Sequence, residues 1–250
     1  MKHAPLKMES FGISDIGLVR GNNEDVWMAL PEKQFFILAD GMGGHNAGEV
    51  AASYTVESMC QSIRTLPDGS SVEDACLFLR EAISKANTRV YDEARRQSEY
   101  AGMGTTLSCF LIVENFLIYA HIGDSRLYRF RNKLEQLTED HSLRQSLSIE
   151  DQEVSPPPAL RNVITRAIGT NPMILPDIGV ISLQPNDIYL LCSDGMSDYV
   201  PKEKVSKVLS SALSLEEMGK KLVEAALEKG GNDNITLLLG RLNERQDLSR

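Results

Sequence analysis

The chain has 250 residues, 42% of them hydrophobic and 24% charged, with a formal charge of −9. That length suits one large domain, which buries roughly 70–75% of its unfolded surface and folds without a disulfide or structural metal. An acidic balance with no Lys/Arg block argues against a nucleic-acid surface, and no run approaches the ~18 apolar residues of a membrane span.

The N-terminal "MKHAPLKMES" lacks the apolar stretch of a signal peptide. Cys60, Cys76, Cys109 and Cys192 lie far apart in apolar stretches and form no C-x-x-C pair, so they are expected to be reduced and packed in a cytoplasmic protein. "FFILA" (35–39) is the short continuous apolar run of a strand covered on both faces. In 48–65, Val50, Ala51, Val56, Met59 and Ile63 recur at near-helical spacing. A second helix is expected over 70–97, opened by Ser70 and Glu73 at capping-box spacing. "TTLSCFLIV", "FLIYAHIG" and "LYRFRN" then follow one another across very short connections, which favour an antiparallel meander. Residues 140–162, with Pro156, Pro157 and Pro158, read as an irregular flap. Strands near 174–183 and 187–193, helices near 202–212 and 215–229, and a last strand over 234–242 complete a layered α+β sandwich.

The chemistry lies where these elements meet. Asp40, Asp124 and Asp194 each follow an apolar run, and Asp233 immediately precedes one. In an antiparallel sheet the end of one strand and the start of its neighbour share an edge, so these carboxylates converge, and Glu24 and Asp25 of "RGNNED" add two more acids to the set. Converging anions must be protonated, paired with bases or bound to cations. His3, His45, His121 and His141 show no zinc-ligand spacing. Oxygen-only ligation instead selects Mg²⁺, Mn²⁺ or Ca²⁺, and no stretch matches the twelve-residue EF-hand loop. A carboxylate-bridged pair of Mg²⁺ or Mn²⁺ ions suits in-line phosphoryl transfer. Gly41 and Gly195 are expected to leave room for an ion or its water shell, with the Gly41 carbonyl a candidate ligand. "GMGGHNAG" is not a phosphate loop, because it lacks G-x-x-x-x-G-K-[ST] and has Asn46 where the last Gly of G-x-G-x-x-G belongs. Arg20, four residues before Glu24, can grip two phosphate oxygens. Asp198 lies four residues past Asp194, so one helical turn brings both to one side.

Taken together, "SDIGLVRGNNED", "ILADGMGGHNAGEVAA", "GMGTTL", "AHIGDSRLYRF", "LTEDHS", "RNVITRAIG", "LLCSDGMSD" and "GGNDNITLLL" resemble, in this order, the metal-dependent Ser/Thr protein phosphatases of type 2C in their compact bacterial form. The resemblance covers about residues 10–242 and implies a single catalytic domain over 1–250. It implies a four-layer α/β/β/α sandwich, two antiparallel sheets flanked by helices, with a binuclear metal site at one edge between the sheets. Carried over position by position, Asp40 bridges two Mn²⁺ or Mg²⁺ ions, Gly41 offers its carbonyl, and Asp194 and Asp233 bind the first ion. Glu24 and Asp25 act mainly through metal-bound waters, Asp124 and Asp198 join Asp194 around a weaker third ion, and Arg20 binds substrate phosphate. The implied reaction is hydrolysis of phosphoserine and phosphothreonine in proteins by a metal-bridging water or hydroxide, without a phosphoenzyme. The implied partners are phosphorylated proteins, a Ser/Thr kinase or its targets among them, and the chain is expected to act as a monomer. Two other readings stay open at this point, a catalytically silent phosphoprotein binder and a hydrolase of small phosphate esters. One departure stands out. Eukaryotic members place a histidine directly after the Asp-Gly pair, whereas this chain has Met42, whose thioether cannot donate a proton to the leaving oxygen.

Overall fold

The structure is a computed structural model and describes residues 8–43, 47–143, 145 and 163–242. The strands are β1 (Met8–Asp15), β2 (Asp25–Leu30), β3 (Phe35–Met42), β4 (Gly104–Thr105), β5 (Leu107–Val113), β6 (Phe116–Ile122), β7 (Arg126–Arg131), β8 (Lys133–Gln136), β9 (Asp177–Ser182), β10 (Ile188–Cys192) and β11 (Ile235–Leu242). The helices are α1 (Ala47–Arg64), α2 (Val72–Arg96), the single turn α3 (Asp194–Ser197), α4 (Lys202–Leu209) and α5 (Leu215–Leu227). Most of the expected flap, together with His3, His45 and Asn46, lies outside the described residues.

Two antiparallel sheets form, one in the order β1-β11-β10-β7-β8 and the other β2-β3-β5-β6-β9 with β4 paired to β3. Side chains alternate across each strand, and the buried residues divide accordingly. In β3, Phe35, Ile37 and Ala39 face α1 and α2, whereas Phe36 and Leu38 face the other sheet. In β10, Ile188, Leu190 and Cys192 pack on α4 and α5, whereas Tyr189 and Leu191 point between the sheets. The inter-sheet layer is centred on Phe36 stacked on Phe110 at 4.7 Å, with Tyr189 tilted against Phe110 at 6.0 Å. Three apolar layers therefore separate four layers of secondary structure, which is the expected α/β/β/α sandwich.

Two local expectations need correction. Helix α2 is capped by Ser71, whose Oγ accepts from the Asp74 N–H at 3.1 Å. Ser70 instead donates to the Pro67 carbonyl at 2.8 Å and closes the preceding turn, so the cap falls one residue later than its spacing suggests. The capping box that does form is Ser214–Glu217 at the start of α5. The meander is real only as far as β5–β6, because β7 pairs with β10 and β8 in the opposite sheet. The short link Gly123–Asp124–Ser125 thus crosses between sheets, with Gly123 at φ +107° and so placed that a Cβ would lie 2.6 Å from Thr106 Cγ2.

Candidate metal centre

The strand registers explain why the acids gather. Cys192, at the end of β10, pairs with Leu237 on one side and Arg126 on the other. Asp194 past β10, Asp124 before β7 and Asp233 before β11 therefore leave the first sheet at one edge. In the second sheet Asp25 and Asp40 are direct cross-strand partners, an arrangement of like charges that destabilises a ladder. Both continue apolar rows that face the gap between the sheets. Asp40 follows Phe36 and Leu38, and Asp25 precedes Trp27 and Ala29. Ser193 follows Tyr189 and Leu191 into the same gap, where its hydroxyl donates to Asp25 Oδ2 at 2.8 Å and accepts from the Thr236 N–H at 3.0 Å.

Of these acids only Asp233 carries a bonded base, Arg20; among the described residues Asp25, Asp40, Asp124 and Asp194 have none. Asp25 and Asp124 are only 7% and 8% exposed, and Asp25 Oδ1 has no hydrogen-bond partner. Burial, then the charge of Asp233, pushes Asp25 up to about 6 against the pull of the Thr236 and Ser193 hydroxyls. Burial, then Asp140 and Asp198, pushes Asp124 up to about 7. Asp40 is held well above the usual carboxylate range by burial and then by Asp25, Asp194, Asp124 and Asp233. Asp194 is likewise raised by burial and then by Asp124, Asp233, Asp198 and Asp25. Each acid is thus shifted by the others, which locates them in one electrostatic unit.

Among the described residues no group of three or more His, Cys, Asp or Glu side chains is placed to hold a metal ion as it stands. The fit to divalent cations rests instead on donor type and charge. The donors are hard carboxylate oxygens, all but Asp233 lack a bonded counter-ion, and one is an orphaned buried acceptor.

The remaining expected residues are placed as follows. The Arg20 guanidinium lies half exposed and donates to Asp233 Oδ2 at 2.7 Å, which raises its own affinity for the proton. Glu24 accepts from Asn22 Nδ2 at 3.1 Å, and its carboxylate packs against Gly48 so closely that a Cβ there would lie 2.3 Å from Oε2. Asp198 ends α3, its N–H donating to the Asp194 carbonyl at 2.9 Å, but its carboxylate accepts from Arg126 at 3.1 Å. The glycines need a correction. A Cβ on Gly41 would lie 2.2 Å from the Gly48 carbonyl oxygen, and one on Gly195 would lie 2.0 Å from that of Asn234. Both positions serve tight backbone packing, and their missing side chains leave no space for an ion there.

Sequence reasoning missed the residues that hold the candidate ligands. Asn234 is buried, accepts from the Glu24 N–H at 2.8 Å and donates to the carbonyls of Ile16 and Asn22, both at 2.9 Å. It fastens the loop carrying Arg20 and Glu24 to the start of β11. The Thr106 hydroxyl accepts from the Asp40 N–H at 2.9 Å and bonds Ser125 at 2.8 Å, so it joins the two sheets behind the acids. His141 Nδ1 accepts from the Gly123 N–H at 3.1 Å while Nε2 meets Asp177 at 2.9 Å, a structural role that fixes the turn before Asp124. The adjacency of Ser193 to Asp194 and of Asn234 to Asp233 was the available signal.

Residues 21–230 match the family described as Protein phosphatase 2C. A serine/threonine phosphatase stp of Listeria welshimeri is 35% identical over 241 residues, 93% of this chain and 95% of that protein. The serine/threonine phosphatase PstP/Ppp of Mycobacterium tuberculosis superposes with a TM-score of 0.87 at 35% identity, covering 96% of this chain and 100% of that one. The catalytic domain of PstP in complex with two manganese ions gives a TM-score of 0.85 at 34% identity with the same coverage. The sandwich, the acids at its edge and these similarities agree: the chain belongs to the protein phosphatase 2C family.

Proposed function

We propose that this phosphatase hydrolyses phosphoserine and phosphothreonine in proteins, as one catalytic domain that holds two divalent cations, Mn²⁺ or Mg²⁺. The observation that carries the reading is the set of Asp25, Asp40, Asp124 and Asp194 at one sheet edge, without a bonded base, with Asp233 beside them on Arg20. The manganese pair in the related PstP structure supports it. Asp40, the Gly41 carbonyl, Asp194 and Asp233 are the candidate direct ligands, with Glu24 and Asp25 acting through water. When bound, such ions activate a water and neutralise the phosphate.

The chain's own residues supply the rest. Arg20 is positioned at the solvent side of Asp233, where a guanidinium can turn its free N–H groups toward a substrate phosphate. Ser193, Asn234 and Thr106 hold the acids in place and limit their relaxation. Met42 offers no proton, so the leaving serine or threonine oxygen draws its proton from water or from another residue. Phosphorylated proteins are the substrates, and a Ser/Thr kinase or its targets is the proposed partner class. Among the described residues no helix is long and apolar enough to cross a membrane.

Phosphate release from a phosphothreonine peptide and from a small phosphate ester, each with Mn²⁺ and with EDTA, tests the reading. Rapid Mn²⁺-dependent release that favours the peptide is expected. Undiminished release in EDTA would contradict the metal chemistry, and turnover confined to the small ester would contradict the protein substrate.

A further inference from the structure

Leu18 and Val19, the two residues before Arg20, stand in solvent at 70% and 65% exposure, and Ile16 is 40% exposed. Among the described large apolar side chains left exposed, Leu18 and Val19 are the only sequence neighbours. The loop that carries them is fastened at three points. The Gly17 N–H donates to Asp15 Oδ1 at 2.8 Å, the Leu18 N–H to the Gly231 carbonyl at 2.7 Å, and Asn234 Nδ2 to the Ile16 carbonyl at 2.9 Å. Gly17 takes φ +81°, and a Cβ there would lie 2.3 Å from the Asp233 carbonyl oxygen. A Cβ on Gly231 would lie 3.0 Å from Leu18 Cγ, so the backbone leading to Asp233 backs the leucine. An apolar pair is thus mounted on the same strand start that carries Asp233 and, through a 2.7 Å bond, Arg20.

We propose that Leu18 and Val19 form a rigid docking step for an apolar side chain of the phosphoprotein substrate, close in sequence to the phosphorylated residue. This rests on the reading of Arg20 as the phosphate ligand of a protein phosphatase. Three features select the occupant. The step adjoins Arg20 in the chain, and two to three residues of extended substrate span roughly 7–10 Å, so a phosphate held on Arg20 brings its near neighbours over the pair. Apolar surface on a fixed loop gains burial without the cost of ordering that loop. Apart from Arg20, the charged groups that touch this loop or act on its arginine include the carboxylates of Asp15, Asp233 and Glu24, which repel an acidic flank and leave an apolar one unopposed. The protein therefore selects among phosphoproteins by the residues beside the phosphate as well as by the phosphate itself.

Phosphothreonine peptides that differ only in carrying Leu or Ser at positions within about three residues of the phosphothreonine test this on the Mn²⁺-loaded wild type and on Leu18→Asn/Val19→Thr. The double change puts polar side chains of similar size at two exposed positions and leaves the core untouched. Turnover of a small phosphate ester by each protein normalises for any change at the metal centre. The wild type should turn over the best Leu peptide at least about tenfold more efficiently than its Ser counterpart, mainly through KM, and the variant should bring that ratio close to one. A wild-type ratio near one, or a ratio that survives in the variant, would overturn the docking step. A surviving ratio together with a wild-type dimer, seen by sedimentation and lost in the variant, would give the pair to a second copy of this chain and overturn it likewise. Mn²⁺-dependent turnover of the ester with none of any peptide would bring down the protein-substrate reading itself, and the docking step with it.

Discussion

Strand β10 is flanked by two aspartates, Asp187 just before it and Asp194 just after it, and the fold treats them in opposite ways. Asp187 is completely buried yet fully partnered. Arg131 donates to both its oxygens at 2.6 Å, and the Tyr189 hydroxyl and the Gln184 N–H complete the set at 2.9 and 3.1 Å. Asp194 meets Asp124, Asp233, Asp198 and Asp25 instead, and burial, then these anions, raises its proton affinity well above the usual carboxylate range. A buried carboxylate with its own base is a structural strut. One surrounded by other carboxylates is stable in ionised form only when a cation arrives. The contrast separates the two ends of one strand into scaffold and site.

The sharpest way to break this contrast is to make the same change at both ends. Asp194→Asn should lower kcat/KM by at least about 10³-fold, roughly 4 kcal/mol of barrier, while raising the melting temperature of the EDTA-treated protein, because a repulsion is removed. Asp187→Asn should leave kcat of the folded protein near wild type. It should cost about 2–4 kcal/mol of stability by urea denaturation, the lower part of the range for a broken buried pair, since Arg131 keeps some water. Equal losses of activity at both ends would erase the distinction.

Ser193→Ala probes the support beneath the site. It removes the donor to Asp25 and the acceptor for the Thr236 N–H, so Mn²⁺ affinity should fall about 10–100-fold and stability by about 1–3 kcal/mol. A smaller effect is expected of pH. In the metal-free protein Asp25 and Asp124 keep their protons up to about 6 and about 7, whereas an unfolded aspartate loses its own near 3.8. Between these values the folded chain binds more protons than the unfolded one, so this contribution to stability falls as pH rises from about 4 to about 7. Melting curves in EDTA should show that decline, and saturating Mn²⁺ should remove it. Smallest of all, Arg20→Ala should raise KM for a phosphopeptide by about tenfold with a modest change in kcat, the pattern of lost substrate binding.

What the sequence disclosed was local. The short continuous apolar runs "FFILA" and "IYLLC" mark strands covered on both faces, and the acids beside those strands sit within a residue or two of the signal. The carboxylates of the candidate centre were therefore legible before any fold was known. The crossing of β7 to the first sheet was not, because a three-residue link is compatible with staying or leaving until β10 provides a partner. The glycine roles were hidden for the same reason, since the groups that crowd Gly195 come from Asn234, far along the chain. The fastening of Asp198 to Arg126, 72 residues apart, has no local signature at all.

The central claim is that the uncompensated acids at the sheet edge are built for divalent cations, and proton release on metal binding tests it most directly. At pH 6, titration calorimetry of Mn²⁺ in buffers of different ionisation enthalpy counts the protons expelled. Asp124, pushed up to about 7, and Asp25, pushed up to about 6, must give theirs up to face a cation. The account predicts tight uptake of two ions with at least one proton released, and a release that shrinks toward pH 8. Uptake without proton release, or no tight uptake at all, would contradict it.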